Sequence, residues 1–248
     1  MKQIAFIFVV IIMVLSLRDI CGANVPVNKE KNFSIDLFRT RVGRGSFEIS
    51  EEGDNLKGKS IVTMKLPQRD RIVDVKFEAI TTYNKETLEP IKYVCRVTTD
   101  NEKTSIISVK IENKKIFIQF TSPTRKYEKS IYLPDKFFIL DENFILDQYQ
   151  TFLKKLNYPE EGKGKSSVVG QSFNILIPQT TSVISKTKKL VVSDISEEKI
   201  KLEDKEFDTY KVAVEYEDGL NMYLWVTKKE KDLIKYTIPS QDAVAILK

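Results

Sequence analysis

The chain has 248 residues, and its 40 lysines and arginines against 35 aspartates and glutamates give a formal net charge of +5. It contains no histidine. Ser-His-Asp and Cys-His nucleophilic sites and the common catalytic zinc sites are therefore excluded, because the imidazole that acts as base or ligand is absent. Charges alternate in sign along the chain, which favours a solvated surface over a patch that binds nucleic acid or a membrane. We expect a protein that is not an enzyme, with no cofactor, no metal and no nucleic acid.

The first 23 residues have the pattern of a secretory signal peptide. Lys2 gives a positive start, residues 4–17 are apolar apart from Ser16, and Cys21-Gly22-Ala23 supplies the small residues of a cleavage site. The apolar run is shorter than the roughly 20 residues that a transmembrane helix needs. The sequence therefore predicts export, cleavage after Ala23 and a periplasmic or extracellular location.

Cleavage would leave residues 24–248 as a single domain with one cysteine, Cys95. A lipid anchor at Cys21 is disfavoured, because Arg18-Asp19-Ile20 precedes it where a lipobox has a hydrophobic residue followed by small ones. Cys95 shares its strand face with apolar neighbours such as Tyr93, so we expect a buried and inert thiol.

Most of the exported chain alternates between apolar and polar residues, as strands with one buried and one wet face do. The clearest case is 72–81, where Val73, Val75 and Phe77 point one way and Asp74 and Lys76 the other. The predicted strands are 33–40, 46–50, 60–66, 72–81, 91–99, 104–111, 116–120, 127–133, 171–177, 188–193, 199–203, 207–216, 220–228 and 233–238. Turns rich in Gly, Asn, Asp or Lys separate them, so the pattern predicts an antiparallel sheet.

Residues 53–60, GDNLKGKS, match the phosphate-binding pattern G-x-x-x-x-G-K-[ST]. That chemistry requires the loop to open a helix, so that backbone N–H groups and the lysine converge on phosphate. Here residues 61–67, IVTMKLP, form a β-branched alternating run that predicts a strand. We therefore interpret residues 53–58 as a hairpin loop and expect no nucleotide.

Between Pro134 and Pro159 the hydrophobic period changes from two to about 3.6. This pattern predicts a helix at about residues 142–157, with Asp141 at its N-cap and Pro159 preventing its continuation. One stripe of the helix is apolar and contains Ile145, Tyr149, Phe152, Leu153 and Leu156.

Residues 160–167, EEGKGKSS, have no apolar member and predict a mobile loop after the helix. A single helix among many strands must bury its apolar stripe on a sheet. The predicted fold class is therefore mainly β: a strongly curved antiparallel sheet, an open or half barrel, wrapped around one α-helix.

Trp225 is the single tryptophan and lies in the segment Met222-Tyr223-Leu224-Trp225-Val226, both faces of which are apolar. Such a strand is covered on two sides, by the helix or by a bound apolar ligand. Core packing alone would give the same pattern. The candidate ligand-binding residues are Ile145, Tyr149, Phe152, Leu156, Tyr223 and Trp225.

The order of several features resembles that of a known group of proteins. These features are the leader, Gly43 and Gly45, the segment Leu88-Glu89-Pro90-Ile91-Lys92-Tyr93, a Leu-Pro pair before one helix, Ile177-Pro178 at a strand end and the Trp225 strand. The chain resembles an uncharacterised group of bacterial exported proteins, similar in fold to the periplasmic lipoprotein carriers, over most of residues 33–239. The resemblance implies a concave apolar surface able to hold acyl chains or another protein. The carriers' plug of several helices and their positioned arginine are not identifiable here, so lipoprotein transport does not follow.

We therefore predict a non-catalytic binding protein that holds a lipid, an acyl chain or a partner's hydrophobic segment between helix and concave sheet, with peripheral membrane contact as a further interaction. Two alternatives remain. A structural or assembly protein of the cell envelope would act through exposed strand edges. An enzyme would need a cleft with converging carboxylates or lysines of shifted pKa.

Overall fold

A computed structural model describes residues 29–68, 71–100, 104–159, 168–178 and 186–248. The predicted leader, residues 1–23, and the predicted mobile loop, residues 160–167, lie outside the described residues. Within the described ranges the protein is mainly β, with one mixed sheet that is not closed and a single α-helix.

The sheet has fifteen strands in the described part of the chain. The strands are β1 (Lys31–Leu37), β2 (Thr40–Glu52), β3 (Asn55–Gln68), β4 (Arg71–Asn84), β5 (Pro90–Thr99), β6 (Thr104–Glu112), β7 (Lys115–Thr121), β8 (Lys126–Tyr132), β9 (Phe137–Ile139), β10 (Ser172–Ile177), β11 (Lys186–Leu202), β12 (Lys205–Tyr216), β13 (Asn221–Thr227), β14 (Leu233–Ile238) and β15 (Ala243–Leu247). Their order across the sheet is β8-β7-β6-β5-β4-β3-β2-β1-β15-β14-β13-β12-β11-β10-β9.

Two runs of sequential strands meet at the pair β1 and β15, where Phe33 pairs with Leu247. Every neighbouring pair is antiparallel except β9 and β10, which run parallel with Phe138 opposite Ile175. Short turns suffice for the antiparallel pairs, whereas the parallel pair needs a longer crossover, and that crossover contains the helix.

The helix, α1 (Leu146–Lys154), packs on β2 and β3 and also on β14. Cα atoms of β5 and of the edge strand β9 come within 8 Å of each other. In a flat sheet these two strands would lie roughly 50 Å apart, because neighbouring strands are spaced by about 4.8 Å. The sheet therefore curls around the helix, as the hydrophobic pattern predicts.

The helix is shorter than the predicted span of 142–157. Asp141 is not its N-cap, because its carboxylate Oδ1 accepts a hydrogen bond of 2.9 Å from the backbone N–H of Asn143 and stabilises a turn there. Phe144 follows with a positive φ of 62°, which no helical residue has. Ile145 takes the N-cap position without a side-chain hydrogen bond, so the helix begins only at Leu146.

The strand boundaries differ from the prediction at several places. Strands β2 and β3 are longer than the predicted 46–50 and 60–66, so only residues 53 and 54 of the predicted loop 53–58 form the turn between them. The segments 188–193 and 199–203 are parts of one strand, β11, which continues through an irregularity between Val192 and Asp194. Strands β9 and β15 were not predicted, since three consecutive buried residues in β9 and five mostly apolar residues in β15 show no alternation of polar and apolar side chains.

The segment that matches the phosphate-binding pattern forms a β-hairpin. Gly53 has a φ of 61° in the two-residue turn between β2 and β3, and the chain is a strand again from Asn55. Ser60 lies inside β3 and is fully buried. A strand follows the motif where phosphate binding requires the N-terminus of a helix.

Candidate ligand-binding groove

Four of the predicted ligand-binding residues lie in the main hydrophobic core between α1 and the sheet. Ile145, Tyr149 and Phe152 are fully buried, and Leu156 is buried too. The Tyr149 ring meets the edge of Tyr236 with centroids 5.0 Å apart, and Phe152 packs in the same way against a β9 phenylalanine. The chain's own side chains therefore occupy the volume beside these residues.

The other two predicted residues, Tyr223 and Trp225, lie on the opposite face of the sheet. Side chains alternate along β13, so Leu224 faces the main core while Trp225 packs with Ile200 and Ile234 in a separate small cluster. Thus the structure does not bring the six predicted residues together. The cluster on the outer face is covered by lysines: Lys235 Nζ lies 4.4 Å from the Trp225 ring centroid.

Helix α1 has no solvent-exposed face, because all of its residues except Lys154 are buried. Its polar side chains bond to the sheet. Asp147 accepts a hydrogen bond of 2.5 Å from the Ser60 hydroxyl and one of 2.9 Å from the Tyr83 phenol. Burial raises the pKa of Asp147 to about 6, although these hydrogen bonds lower it. No cation pairs with this carboxylate among the described residues.

Asp141, just after β9, forms a second buried carboxylate contact. Its carboxylate accepts a hydrogen bond from the phenol of Tyr93 on β5. The backbone N–H of Asp141 donates to Gln148 Oε1 at 2.6 Å, and the Gln148 amide donates to the Thr81 hydroxyl at 3.3 Å. Burial raises the pKa of Asp141 as well. This network fixes the start of the helix to β4 and β5.

The end of the helix is held by a buried charge cluster. Lys31 and Lys154 both contact Asp232, at 2.9 and 3.6 Å. Burial lowers the pKa of each lysine, while the shared aspartate raises it. Gln150 adds a neutral link, since its Oε1 accepts a hydrogen bond of 2.8 Å from the backbone N–H of Leu233.

A groove of about 510 Å³ lies on the outer face of β1–β4, away from the helix. We call it the basic groove. It is lined by Asn32, Phe33, Ser34, Arg41, Val42, Gly43, Arg44, Thr63, Met64, Lys65, Asp74 and Lys248. Its volume lies within the range of about 300–1,000 Å³ that is typical of small-molecule sites.

Strand register explains which side chains reach the basic groove. Ser34 pairs with Arg44, and Arg44 pairs with Thr63, so these three form a row across the sheet. Met64, one residue further along, faces the core. Val42 is an extra residue of β2 at a bulge, because Ile35 pairs with Gly43 and Asp36 pairs with Arg41. A bulge bends its strand and increases the local twist, and the basic groove lies at this bend.

The basic groove is positively charged. Four lining side chains, Arg41, Arg44, Lys65 and Lys248, are cationic, and one, Asp74, is anionic. Lys65 and Asp74 are 4.0 Å apart and both largely exposed, so their attraction is weak. Within the described ranges no ion pair involves Arg44 or Lys248. These cations can therefore meet an anionic ligand without losing an internal partner.

Sequence reasoning missed the basic groove. Its cations come from β2, from β3 and from the residue that follows β15, and they are separated by up to about two hundred positions in the chain, so no local motif contains them. Gly43 and Gly45 were a signal of close packing: a Cβ at Gly45 would overlap the ring of Phe33. They mark the tightly packed strands beneath the groove without indicating its charge.

No set of three or more Cys, Asp or Glu residues that could hold a metal ion occurs in the part of the chain that the structure describes. Among the same residues, no helix combines the length and the apolar character needed to cross a membrane. The thiol of Cys95 is free and fully buried, as predicted, and burial raises its pKa.

Comparison with known proteins shows only a weak structural similarity. No family model matches the chain, and no curated protein matches it. A solved structure, that of a DUF1089 family protein from Pseudomonas aeruginosa, is similar with a TM-score of 0.47 and 9% sequence identity, over 79% of this chain and 90% of that one. So weak a likeness carries no inference about function, and the similarity to lipoprotein carriers stays a prediction.

Proposed function

We propose that the protein is a non-catalytic binding protein that acts outside the cytoplasm and takes up an anionic amphiphile, a molecule with an acidic head group and an apolar chain. The observation that carries this proposal is the basic groove, which combines four cationic side chains with apolar walls. The leader pattern of residues 1–23 is the basis for the proposed location.

The shape and chemistry of the basic groove favour such a ligand. Arginine forms a planar fork of donors that suits carboxylate and phosphate oxygens, and Arg44 is exposed with no ion pair among the described residues. Most of the exposed surface that lines the groove is apolar, although the side chains of Phe33 and Met64 are themselves buried in the core. A head group would contact the cations while its chain lies along this apolar surface.

Binding between helix and sheet remains a second position for the apolar part of the ligand. There a chain would have to displace fully buried side chains such as Tyr149 and Phe152. The helix is also bonded to the sheet through Asp147. The basic groove needs no such displacement, which is why we place the head group there.

Native mass spectrometry tests the proposal on protein purified from its own cell envelope, where we expect a co-purifying acidic amphiphile. Titration with dodecyl phosphate then measures affinity, with dodecyltrimethylammonium as the cationic counterpart. We expect Arg44→Glu to weaken dodecyl phosphate binding about tenfold or more, since it replaces an attraction by a repulsion in the groove.

Arg96→Glu is the matched control. Arg96 is an exposed arginine on β5 that does not line the basic groove. Its substitution makes the same change in net charge and should leave dodecyl phosphate affinity unchanged. Equal binding of the cationic and anionic amphiphiles, or equal losses in the two variants, would contradict the proposal.

A structural role through exposed strand edges has one observation in its favour. Strand β8 is an edge of the sheet and its side chains are mostly exposed, whereas the other edge strand, β9, is short and buried. Lys126 and Lys129 on β8 are charges of the kind that hinder strand addition. Co-purification of a protein in place of an amphiphile would favour this role.

A further inference from the structure

The turn between β1 and β2 exposes a phenylalanine in a strained backbone conformation. Phe38 and Arg39 have positive φ values of 49° and 61°. Two-residue hairpin turns with both φ values positive favour Asn and Gly, because a side chain of ordinary size is strained there. Phe38 is nevertheless 74% exposed, so core packing does not compensate for the strain.

A second large apolar side chain lies at the same end of the sheet. Ile72 is 68% exposed near the start of β4, two residues before Asp74, which lines the basic groove. In an antiparallel sheet the end of β1, the start of β2, the end of β3 and the start of β4 lie together. Phe38, Ile72 and the basic groove therefore share one end of the molecule. We call this end the sheet tip.

The sheet tip carries more cations than anions. Its described positive side chains are Arg39, Arg41, Arg44, Lys65 and Arg71, and its described negative side chains are Asp36, Asp74, Asp242 and Asp100, whose carboxylate accepts a hydrogen bond from the backbone N–H of Asp74. Arg39 has a side chain 91% exposed and contacts Asp242 only at 3.7 Å, so solvent screens this pair strongly. Exposed aromatic and aliphatic side chains among arginines are typical of proteins that bind the interfacial region of an anionic membrane.

We propose that the sheet tip docks on an anionic lipid surface. Phe38 and Ile72 insert among the head groups, and Arg39 and Arg71 lie over the lipid phosphates, while Arg41 is paired with Asp36. The docking extends the proposed function by naming the source of the ligand. It rests on the proposed function in one respect, which is that the amphiphile passes from the lipid surface into the basic groove. Because the groove lies beside the tip, a head group would reach Arg44 without leaving the protein's contact area.

Vesicle flotation with the purified protein tests the docking. We expect binding to equimolar phosphatidylglycerol and phosphatidylcholine vesicles, weaker binding at high salt, and little binding to vesicles of phosphatidylcholine alone. Phe38→Asn should weaken binding to the anionic vesicles about tenfold. Asparagine is favoured at positive φ, so this variant keeps or gains thermal stability and a loss of binding cannot come from unfolding.

Tyr132→Ser is the matched control for an exposed aromatic residue. Tyr132 is 82% exposed at the end of β8, which is the opposite end of the sheet. This variant should bind the anionic vesicles as the natural protein does. Absence of binding by the natural protein, or unchanged binding by Phe38→Asn, overturns the docking.

Dodecyl phosphate titration separates this inference from the proposed function. Phe38 does not line the basic groove, so Phe38→Asn should bind dodecyl phosphate with unchanged affinity. A protein that binds dodecyl phosphate but no vesicles overturns the docking and leaves the proposed function standing. A protein that binds anionic vesicles but no dodecyl phosphate supports the docking and overturns the proposed function.

Discussion

Tyr83 of β4 donates a hydrogen bond of 2.9 Å from its phenol to Oδ2 of Asp147 on α1, across an interface from which water is excluded. Ser60 of β3 donates to the other oxygen of the same carboxylate. Gly58 leaves the space that the carboxylate occupies. The position of the helix against the sheet thus depends on polar contacts as well as on its apolar stripe.

The buried carboxylate of Asp147 predicts a stability that falls as pH rises. Its pKa is about 6 in the folded protein against an ordinary value of 3.8. Below 3.8 both states are protonated, and between the two values the folded state binds more protons, so folding is favoured at lower pH in this window. The free energy of unfolding should lose on the order of 3 kcal/mol between about pH 4 and pH 7 from this group.

Urea unfolding of Asp147→Asn at pH 4.5 and pH 7 measures this effect. The amide can still accept from Ser60, so we expect the variant to be more stable than the natural protein at pH 7 and to lose the part of the pH dependence that Asp147 contributes. Asp141 leaves a residual slope of the same sign, because burial raises its pKa too. Glu128→Gln, an exposed change on β8, is the control. If the unfolding free energy of Asp147→Asn changes with pH as it does in the natural protein, Asp147 is not the source of that pH dependence.

Gly58→Ala should destabilise the protein by about 1–3 kcal/mol, because the added Cβ would overlap the carboxylate of Asp147. Gly53→Ala serves for comparison, since its Cβ would meet open space and only its positive φ disfavours alanine. Replacing Asp147 by the shorter serine should relieve the overlap. In a double-mutant cycle the loss in Gly58→Ala/Asp147→Ser should therefore be smaller than the sum of the single losses. If the two single losses add up in the double variant, the overlap with Asp147 is not what destabilises Gly58→Ala.

Lys31, Lys154 and Asp232 form a cluster in which removal of the anion should cost much more stability than removal of one cation. Asp232→Asn leaves two partly or wholly buried lysines facing each other and should cost about 3 kcal/mol of unfolding free energy. Lys154→Met keeps the packing and removes a desolvated charge, so its effect should stay within about 1 kcal/mol. Chemical denaturation of both variants checks this, and an equal loss in both would contradict it.

Trp225 is the single tryptophan and reports on the outer-face cluster. It is 6% exposed, so native fluorescence should be blue-shifted and poorly quenched by acrylamide, and both properties should change on unfolding. Trp225 does not line the basic groove. Saturation with dodecyl phosphate should therefore leave its emission unchanged, whereas a large shift would place the ligand against Trp225 and away from Arg44.

The periodicity of the chain predicted the class of fold well. Alternation along 72–81 indicated β4, and the stripe containing Tyr149 and Phe152 indicated a helix that is buried on a curled sheet. The helix start was predicted too early, because the choice between an N-cap and a turn at Asp141 depends on Tyr93, Asn143 and Gln148 around it. Such contacts come from different strands and leave no local signal.

The basic groove and the sheet tip could not have been read from the sequence. Arg44 and Lys65 are ordinary charges on alternating strands, and only the register of β2 with β3 and the bulge at Val42 place them on one curved surface. In the same way, Phe38 and Ile72 are separated by two strands in the chain. A residue type reveals what a side chain can bind, but charges and apolar groups from distant segments act together only once the strands have paired.

By itself the sequence determined that the chain folds into a mainly β protein around one helix, because hydrophobic period is a local property that burial imposes on every strand and helix. The tertiary structure alone decided that the polar side of that helix is buried too, that Trp225 faces away from it, and where positive charge gathers. These depend on strand order, register and curvature, which are set by packing over the whole sheet and not by any one segment.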